Sequence, residues 1–347
     1  MIKFQRFFYP VGFGAFYMEI HEANNNTMNI VYDCGTRTQS VNIEKIIDEA
    51  FARRKKVIDI LFISHFHADH ISGIPYLLKN YKIKKVVIPY ISKDNRMLFV
   101  LVEGIEEYQQ MIVDTEGYFG EGTEIIRILP EQGGQQVNEQ MDSTEELKYS
   151  GIALHNSFSA SGWLLIPFNY NYAEKISELK DLLFLRGLKY ERLTEKDYIK
   201  DNYDLIQEAY KEMRGNPNIT SLTLFSGVNR SCSGTLIYQN GNTNIIPGPN
   251  CIYLGDVSMN SKFMERLRIH IGPYIENLYT VQVPHHGAKG ALNPLILKQD
   301  SVAVICHKEG DSKHPSPKVV NDIRSSHSCP IFVTEDRLTE FMEIGIW

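Results

Sequence analysis

The 347-residue sequence predicts an α/β fold, and three observations carry that expectation. Short β-branched and aromatic runs alternate with helical stretches along the whole chain. The run at residues 57–63, apolar apart from Asp59, is continuous rather than alternating, the pattern of a buried strand. The length lies within reach of one large α/β unit, which can bury a sizeable core without staples.

Strands are expected at residues 29–33, 57–63, 85–89, 124–129 and 164–168, then at 221–225, 235–238, 251–254, 278–283, 302–306 and 331–333. Helices are expected at 43–54, 73–80, 94–112, 173–186, 195–214, 262–271 and 317–325. The last opens with Ser316 as N-cap and Pro317 in the first turn, the preferred residue types at both positions. Residues 131–150 are rich in Gln, Glu and Gly and predict a mobile loop. Residues 241–250, rich in Gly, Asn and Pro, predict an insertion between two strands. Strands needed for the core lie on both sides of 91–217. The chain is therefore expected to be one domain, 1–347, with 91–217 a helical and loop elaboration and 226–250 a hairpin-like insertion.

The composition is that of an ordinary globular protein. A net charge of −6 argues against a surface built mainly to hold nucleic acid, although a groove at an active site can still be locally basic. Five scattered cysteines, with no CxxC pair, suit reduced thiols in a cytoplasmic protein rather than a disulfide framework. Residues 1–10 carry charges and aromatics instead of an apolar leader, and no apolar run reaches eighteen residues. The expectation is a chain neither secreted nor membrane-spanning.

The chemistry concentrates where the 57–63 run ends, at His65-Phe66-His67-Ala68-Asp69-His70. Three imidazoles and a carboxylate within six residues repel when charged and cost free energy when buried unpaired. A metal ion removes both penalties, because neutral imidazole and carboxylate are good ligands for zinc, manganese or iron. His65 and His67 alternate along an extended chain and point the same way. Asp69 and His70 follow after the chain turns into a helix and can address a second ion nearby.

This HxHxDH pattern resembles the second motif of the metallo-β-lactamase superfamily, and Val31-Tyr32-Asp33-Cys34-Gly35 resembles its first. The resemblance implies an αββα four-layer sandwich of two packed mixed sheets with helices outside. It also implies that Asp33 sits beneath the site and orients a ligand histidine. Further motifs follow in order: Asn218-Ile219-Thr220-Ser221, an apolar strand closing at Gly255-Asp256, then His285-His286-Gly287-Ala288-Lys289, then His314-Pro315. That order resembles the hydrolase domain of the ComEC-type competence proteins, and the teichoic-acid phosphorylcholine esterases share much of it. The likeness covers residues 1–90 and 218–347. It leaves out the middle segment, and the channel of the competence proteins has no counterpart here.

By this resemblance Asp256 bridges two divalent ions, zinc or manganese, whose ligands are His65, His67, Asp69, His70, Asp256 and one histidine of the pair. The sequence leaves open which of His285 and His286 that is, with the one before the glycine favoured. The other, together with His314, is expected to stabilise charge or protonate the leaving group. Asn218 and Ser221 would hydrogen-bond the substrate or brace a ligand. Lys289 would face either a phosphate or solvent. Many superfamily members supply another histidine before the bridging Asp; here only His155 lies in that interval, outside any motif.

The implied reaction is hydrolysis of a phosphodiester by a hydroxide shared between the ions. The leading expectation is a DNA nuclease, with a role as effector in a multi-protein, phage-defence-type system whose partners are held through 91–217. The alternatives are a phosphodiesterase for a small molecule, cyclic nucleotide or choline ester, and a non-catalytic regulatory subunit that keeps a metal. The fold alone does not choose among them.

Overall fold

Two sheets lie face to face with helices on both outer sides, in a computed structural model that describes residues 2–23, 26–92, 96, 100, 108–131, 146–171, 173–213, 221–228 and 235–346. The chain opens with β1 (Lys3–Phe8), β2 (Gly14–Ala23) and β3 (Asn26–Thr36), followed by α1 (Ile43–Phe51), β4 (Val57–Ile58), β5 (Ile60–Phe62), α2 (Ala68–Ile71) and α3 (Ile74–Asn80). Next come β6 (Lys82–Ile83), β7 (Lys85–Pro89), α4 (Gln109–Val113), α5 (Thr115–Phe119), β8 (Glu124–Leu129), β9 (Glu146–Tyr149) and β10 (Trp163–Asn169). Helices α6 (Ala173–Leu185), α7 (Lys196–Asp201) and α8 (Tyr203–Glu212) lead to β11 (Leu222–Val228), β12 (Thr235–Gln239), β13 (Asn242–Ile246) and β14 (Cys251–Tyr253). The chain closes with α9 (Ser261–Ile275), β15 (Thr280–Gln282), β16 (Val302–Cys306), α10 (Pro317–Ser325), β17 (Cys329–Val333) and β18 (Phe341–Ile346).

Ten strands form the larger sheet in the order β13-β12-β18-β1-β2-β3-β5-β7-β8-β9, and six form the other in the order β10-β11-β14-β15-β16-β17. Both are mixed. The run from β3 to β9 in the first sheet and from β14 to β17 in the second is parallel, and the remainder antiparallel. Phe8, Tyr17, Tyr32 and Phe62 of the first sheet meet Leu224, Tyr253 and Val304 of the second in the central apolar layer. On the outer face of the larger sheet α1, α2, α4 and α5 pack in one core; α9 and α10 do the same on the smaller sheet. This is the αββα sandwich, as expected.

The physical reason for the layering is legible in the burial. Parallel strands are covered on both faces and therefore largely apolar: β16 is apolar and buried throughout, β7 is so after Lys85, and the 57–63 run is apolar apart from Asp59. Residues 57–63 form two short strands rather than one. Asp59 interrupts them, because its carboxylate accepts the Asn29 backbone N–H at 2.8 Å and pairs with Lys84 at 2.6 Å.

Several other expectations change. The helix expected at 195–214 is two helices, α7 and α8, which with α6 surround a small core of their own. The expected helix 94–112 falls largely outside the described residues, α4 being its described end. Of the expected loop 131–150, residues 132–145 lie outside the described residues, and Glu146–Tyr149 is the edge strand β9. Ser316 does occupy the N-cap of α10 but makes no side-chain capping bond. The segment 91–217 contributes β8, β9 and β10 to the two sheets besides its helices, and 235–246 is a hairpin paired to β18.

Candidate metal centre

The carboxyl ends of β3, β5, β14, β15 and β16 meet at one end of the sandwich, where an α/β sheet presents its loops to a ligand. Each end brings one part of a cluster. In β3 a bulge leaves Asp33 without a cross-strand partner, between Cys34 opposite Phe16 and Tyr32 opposite Tyr17. Its φ of 55° is left-handed, and the carboxylate is fully buried. Asp33 Oδ1 accepts the Ser64 N–H at 2.7 Å, while Oδ2 accepts the Ser64 hydroxyl at 2.6 Å and meets His70 Nδ1 at 2.8 Å. Gly35 is required beyond it: a Cβ there would lie 2.6 Å from the Ile71 backbone nitrogen, so α2 could not approach.

Four side chains form the centre. One ligating atom each of Asp69, His70, Asp256 and His286 lies within 4.8 Å of all the others, and all four residues are buried. His286 Nε2 is 3.2 Å from Asp69 Oδ2, and His70 Nε2 is 3.3 Å from Asp256 Oδ1. The second carboxylate oxygen of Asp256 lies 3.7 Å from His65 Nε2. Asp256 thus stands between His65 on one side and His70 on the other. The His67 ring lies 4.8 Å from the His65 ring and nearly perpendicular to it. His67 is the half-buried N-cap of α2 and stays outside the four-residue group.

The outer nitrogens of these histidines are already engaged. Nδ1 of His65 meets the Ser64 hydroxyl at 2.9 Å, Nδ1 of His70 meets Asp33, and Nδ1 of His286 meets the Cys306 carbonyl at 2.9 Å. Each ring therefore keeps its Nε2 for the interior, the arrangement in which an outer partner fixes tautomer and orientation of a metal-ligating imidazole. His65 Nε2, His70 Nε2 and Asp69 Oδ1 are buried with no hydrogen-bond partner. Orphaned buried polar atoms of this kind are costly, and a divalent cation satisfies all of them at once. The donor set, imidazole nitrogen plus carboxylate oxygen, fits zinc or manganese.

The electrostatics agree. Burial would raise the Asp69 and Asp256 carboxyls, but the surrounding histidines hold both below the usual carboxylate range. Burial would lower His70, yet Asp256 and Asp33 push it well above the ordinary imidazole value; against the same effect of burial, Asp69 and Asp256 raise His286. His65, where burial is reinforced by the charge on His70, is pushed well below it. A group of ionised carboxylates that holds protons on neighbouring imidazoles is a site that demands positive charge.

The remaining sequence-derived candidates fall around this centre. His285, half-buried and lowered by burial, stacks parallel to His314 at 6.1 Å. His314 is tethered through its backbone N–H to Asp311 Oδ1 at 2.7 Å. Ser221 is buried and its hydroxyl accepts the Asp256 N–H at 3.1 Å, so it braces a candidate ligand. Lys289 is exposed on the loop after the histidine pair, and His155 is exposed on the connection between β9 and β10. Asn218 lies outside the described residues.

Three contributors were not anticipated. Ser64 ties Asp33 to His65. Gln282 accepts the backbone N–H groups of Leu254 and Gly255 at 2.6 and 2.8 Å and donates to the Val283 carbonyl at 2.8 Å, joining the ends of β14 and β15. Phe13, in the turn between β1 and β2, lies 4.2 Å from the His286 ring and 5.6 Å from that of His314. A glutamine set between Val281 and Val283 was the available signal for Gln282; nothing local marks Phe13.

The αββα sandwich carries a candidate metal centre at its strand ends, and residues 22–148 match the model of the metallo-beta-lactamase superfamily. Among individual proteins, the chain is 53% identical over 53 residues to ribonuclease Z of Agathobacter rectalis, covering 15% of this chain and 16% of that protein. It is 38% identical over 68 residues to ribonuclease J of Mycoplasma genitalium, covering 18% of this chain and 12% of that one. The matches thus span only a small part of these relatives' length. Solved structures of similar shape include unliganded yeast PDE1, 12% identical over 99% of both chains with a TM-score of 0.49. Another is the metallo-beta-lactamase fold protein YhfI from Bacillus subtilis, 11% identical over 99% of this chain and 100% of that one, with a TM-score of 0.47. No helix among the described residues is long and apolar enough to cross a membrane.

Proposed function

We propose that the chain is a metal-dependent phosphodiesterase of nuclease type, with two divalent ions held by His65, His67, Asp69, His70, Asp256 and His286. One observation carries the reading: Nε2 atoms and carboxylate oxygens converge from two sheets while every outer imidazole nitrogen of His65, His70 and His286 is already bonded. The two oxygens of Asp256 point toward different histidines, which suits a carboxylate shared by two ions. Zinc or manganese bound there would polarise a phosphoryl oxygen and lower the pKa of a water.

The chain's own groups supply the rest. Asp33, Ser64 and the Cys306 carbonyl hold the ligand imidazoles in one tautomer. Asp311 sits 3.2 Å from His314 Nδ1 and accepts its N–H, so Nε2 of that ring would donate to a leaving oxygen from the imidazolium form. The stacked His285 adds a second hydrogen-bonding group on the same side. The order of motifs after residue 218, similar to the competence-type hydrolases, favours DNA; the short stretches similar to ribonuclease Z and ribonuclease J favour RNA as the second reading. The exposed surface of 91–217 is where a protein partner delivering nucleic acid would bind.

The test is metal analysis of the purified protein, followed by turnover of bis(p-nitrophenyl) phosphate in manganese and cleavage of plasmid, single-stranded DNA and RNA. Two ions per chain and cleavage of a nucleic acid are expected. A protein that binds no divalent ion, or one that is loaded and cleaves no phosphodiester, would refute the proposal. Cleavage of RNA alone would replace DNA as substrate.

A further inference from the structure

We propose that Arg37 is an anion-binding group on the rim of the metal centre that takes a phosphate oxygen of the substrate. The inference rests on the phosphodiesterase reading for its ligand class, and on three features of this chain for its place.

The first is rigidity. The turn between β1 and β2 is fastened to the residues that leave β3. Phe13 N–H donates to Thr38 Oγ1 at 2.8 Å, Arg37 N–H donates to the Phe13 carbonyl at 2.8 Å, and Thr36 Oγ1 donates to the Val11 carbonyl at 2.6 Å. Gly12 allows that approach: its φ is 67°, and a Cβ would fall 2.5 Å from Thr38 Oγ1. The same clasp that seats Phe13 on His286 and His314 therefore fixes the backbone of Arg37 beside them.

The second feature is where the guanidinium goes. Arg37 Nε lies 3.5 Å from Asp69 Oδ1, with the Arg37 side chain 52% exposed and that of Asp69 4% exposed. Among the described residues neither terminal nitrogen of Arg37 has a hydrogen-bond partner. That pair of donors belongs to a half-exposed side chain next to a buried carboxylate of the candidate centre.

The third is charge. An ion pair this exposed stabilises little by itself. Once Asp69 is taken up by a divalent ion, its charge is spent and the guanidinium stands beside a like-charged centre. An anion shared between the two removes that repulsion. A phosphate oxygen suits both sides, since guanidinium presents a fork of N–H donors to phosphate and such charge-assisted bonds are short and strong.

The experiment uses the full chain loaded with manganese. Binding of inorganic phosphate is measured by calorimetry for wild type, Arg37→Gln and Arg37→Lys, with manganese content by elemental analysis and KM and kcat on bis(p-nitrophenyl) phosphate. Arg37→Gln is expected to keep its manganese, bind phosphate about tenfold more weakly and raise KM more than it lowers kcat, with Arg37→Lys in between. Equal phosphate affinity in wild type and Arg37→Gln overturns the proposal. So does loss of manganese from Arg37→Gln, which would make Arg37 a brace for Asp69 instead. A wild type that binds phosphate through Arg37 yet turns over no diester would sink the phosphodiesterase reading and leave the anion site standing.

Discussion

Replacing Gln282 by Leu should separate the strand ends that carry Asp256 and His286. The side chain is buried, and its amide satisfies the backbone N–H groups of Leu254 and Gly255 while donating to the Val283 carbonyl. The Gly255 carbonyl in turn accepts the His285 N–H at 3.1 Å. Leucine nearly matches the volume, so the cavity contribution is small and the loss is polar. Two buried N–H groups left without an acceptor cost about 1–3 kcal/mol each, or roughly 2–6 kcal/mol together. That is a large part of the roughly 5–15 kcal/mol that holds a typical domain. Because the pair of strand ends also aims two candidate ligands, manganese affinity should fall by about 10–100-fold, the usual effect of losing an outer partner. Urea unfolding of the metal-free protein measures the first effect, and manganese titration the second. Gln282→Glu, which keeps an acceptor oxygen for both N–H groups and loses the amide donors, should fall between wild type and Leu in metal affinity. If Gln282→Leu matched wild type in both stability and manganese affinity, the clamp described here would be without energetic consequence and the reasoning wrong.

Three further outcomes are expected. His67→Ala and Asp69→Ala should each lose phosphodiester hydrolysis and manganese while keeping near-native circular dichroism, and either one retaining wild-type turnover would remove that residue from the centre. His155→Ala should leave manganese stoichiometry unchanged, because the side chain is exposed on the connection before β10; loss of an ion would make it a ligand after all. Burial lowers the pKa of His21, which sits in the core among Phe4, Phe158 and Trp163. Below its unfolded value of about 6.5 the unfolded chain therefore takes up a proton that the folded chain refuses. Stability should fall with acid from there downward, by at most about 1.4 kcal/mol per pH unit for this one proton. His21→Phe should flatten melting temperature against pH between about 6.5 and 5, a range above that in which the lowered Glu19 loses its contribution. An unchanged slope would mean that His21 does not carry it.

The legible part of this protein was the part written locally. His65 to His70 lie within six residues, and the apolar strands that deliver Asp256 and His286 announce their ends by an abrupt change from aliphatic to polar. The first two strands and the last were not anticipated, and the reason is physical. Arg6, Glu19 and Glu343 are fully or almost fully buried between the sheets, which hides the expected alternation. Arg6 Nε pairs with Glu19 Oε1 at 2.7 Å and its Nη1 with Glu343, while Glu19 also accepts from Tyr253 at 2.8 Å and Ser226 at 2.7 Å. Residues 6, 19, 226, 253 and 343 meet only in the folded state. No window of sequence contains that network, so charged residues at core positions read as surface.

The same non-locality explains why the site needs so large a frame. Asp33, Gly255, His285 and His286 all hold left-handed φ values between 51° and 55°. Outside glycine that conformation costs on the order of 1–2 kcal/mol per residue, and it persists only where the surroundings over-determine it. Here they do: Asp33 is pinned by two bonds to Ser64, Gly255 by Gln282, and His286 by the Cys306 carbonyl, each partner lying at least 20 residues away along the chain. A hexapeptide can therefore declare that a metal is wanted. Two sheets are needed to turn Asp33 and His286 inward against their own backbone preference and hold them there.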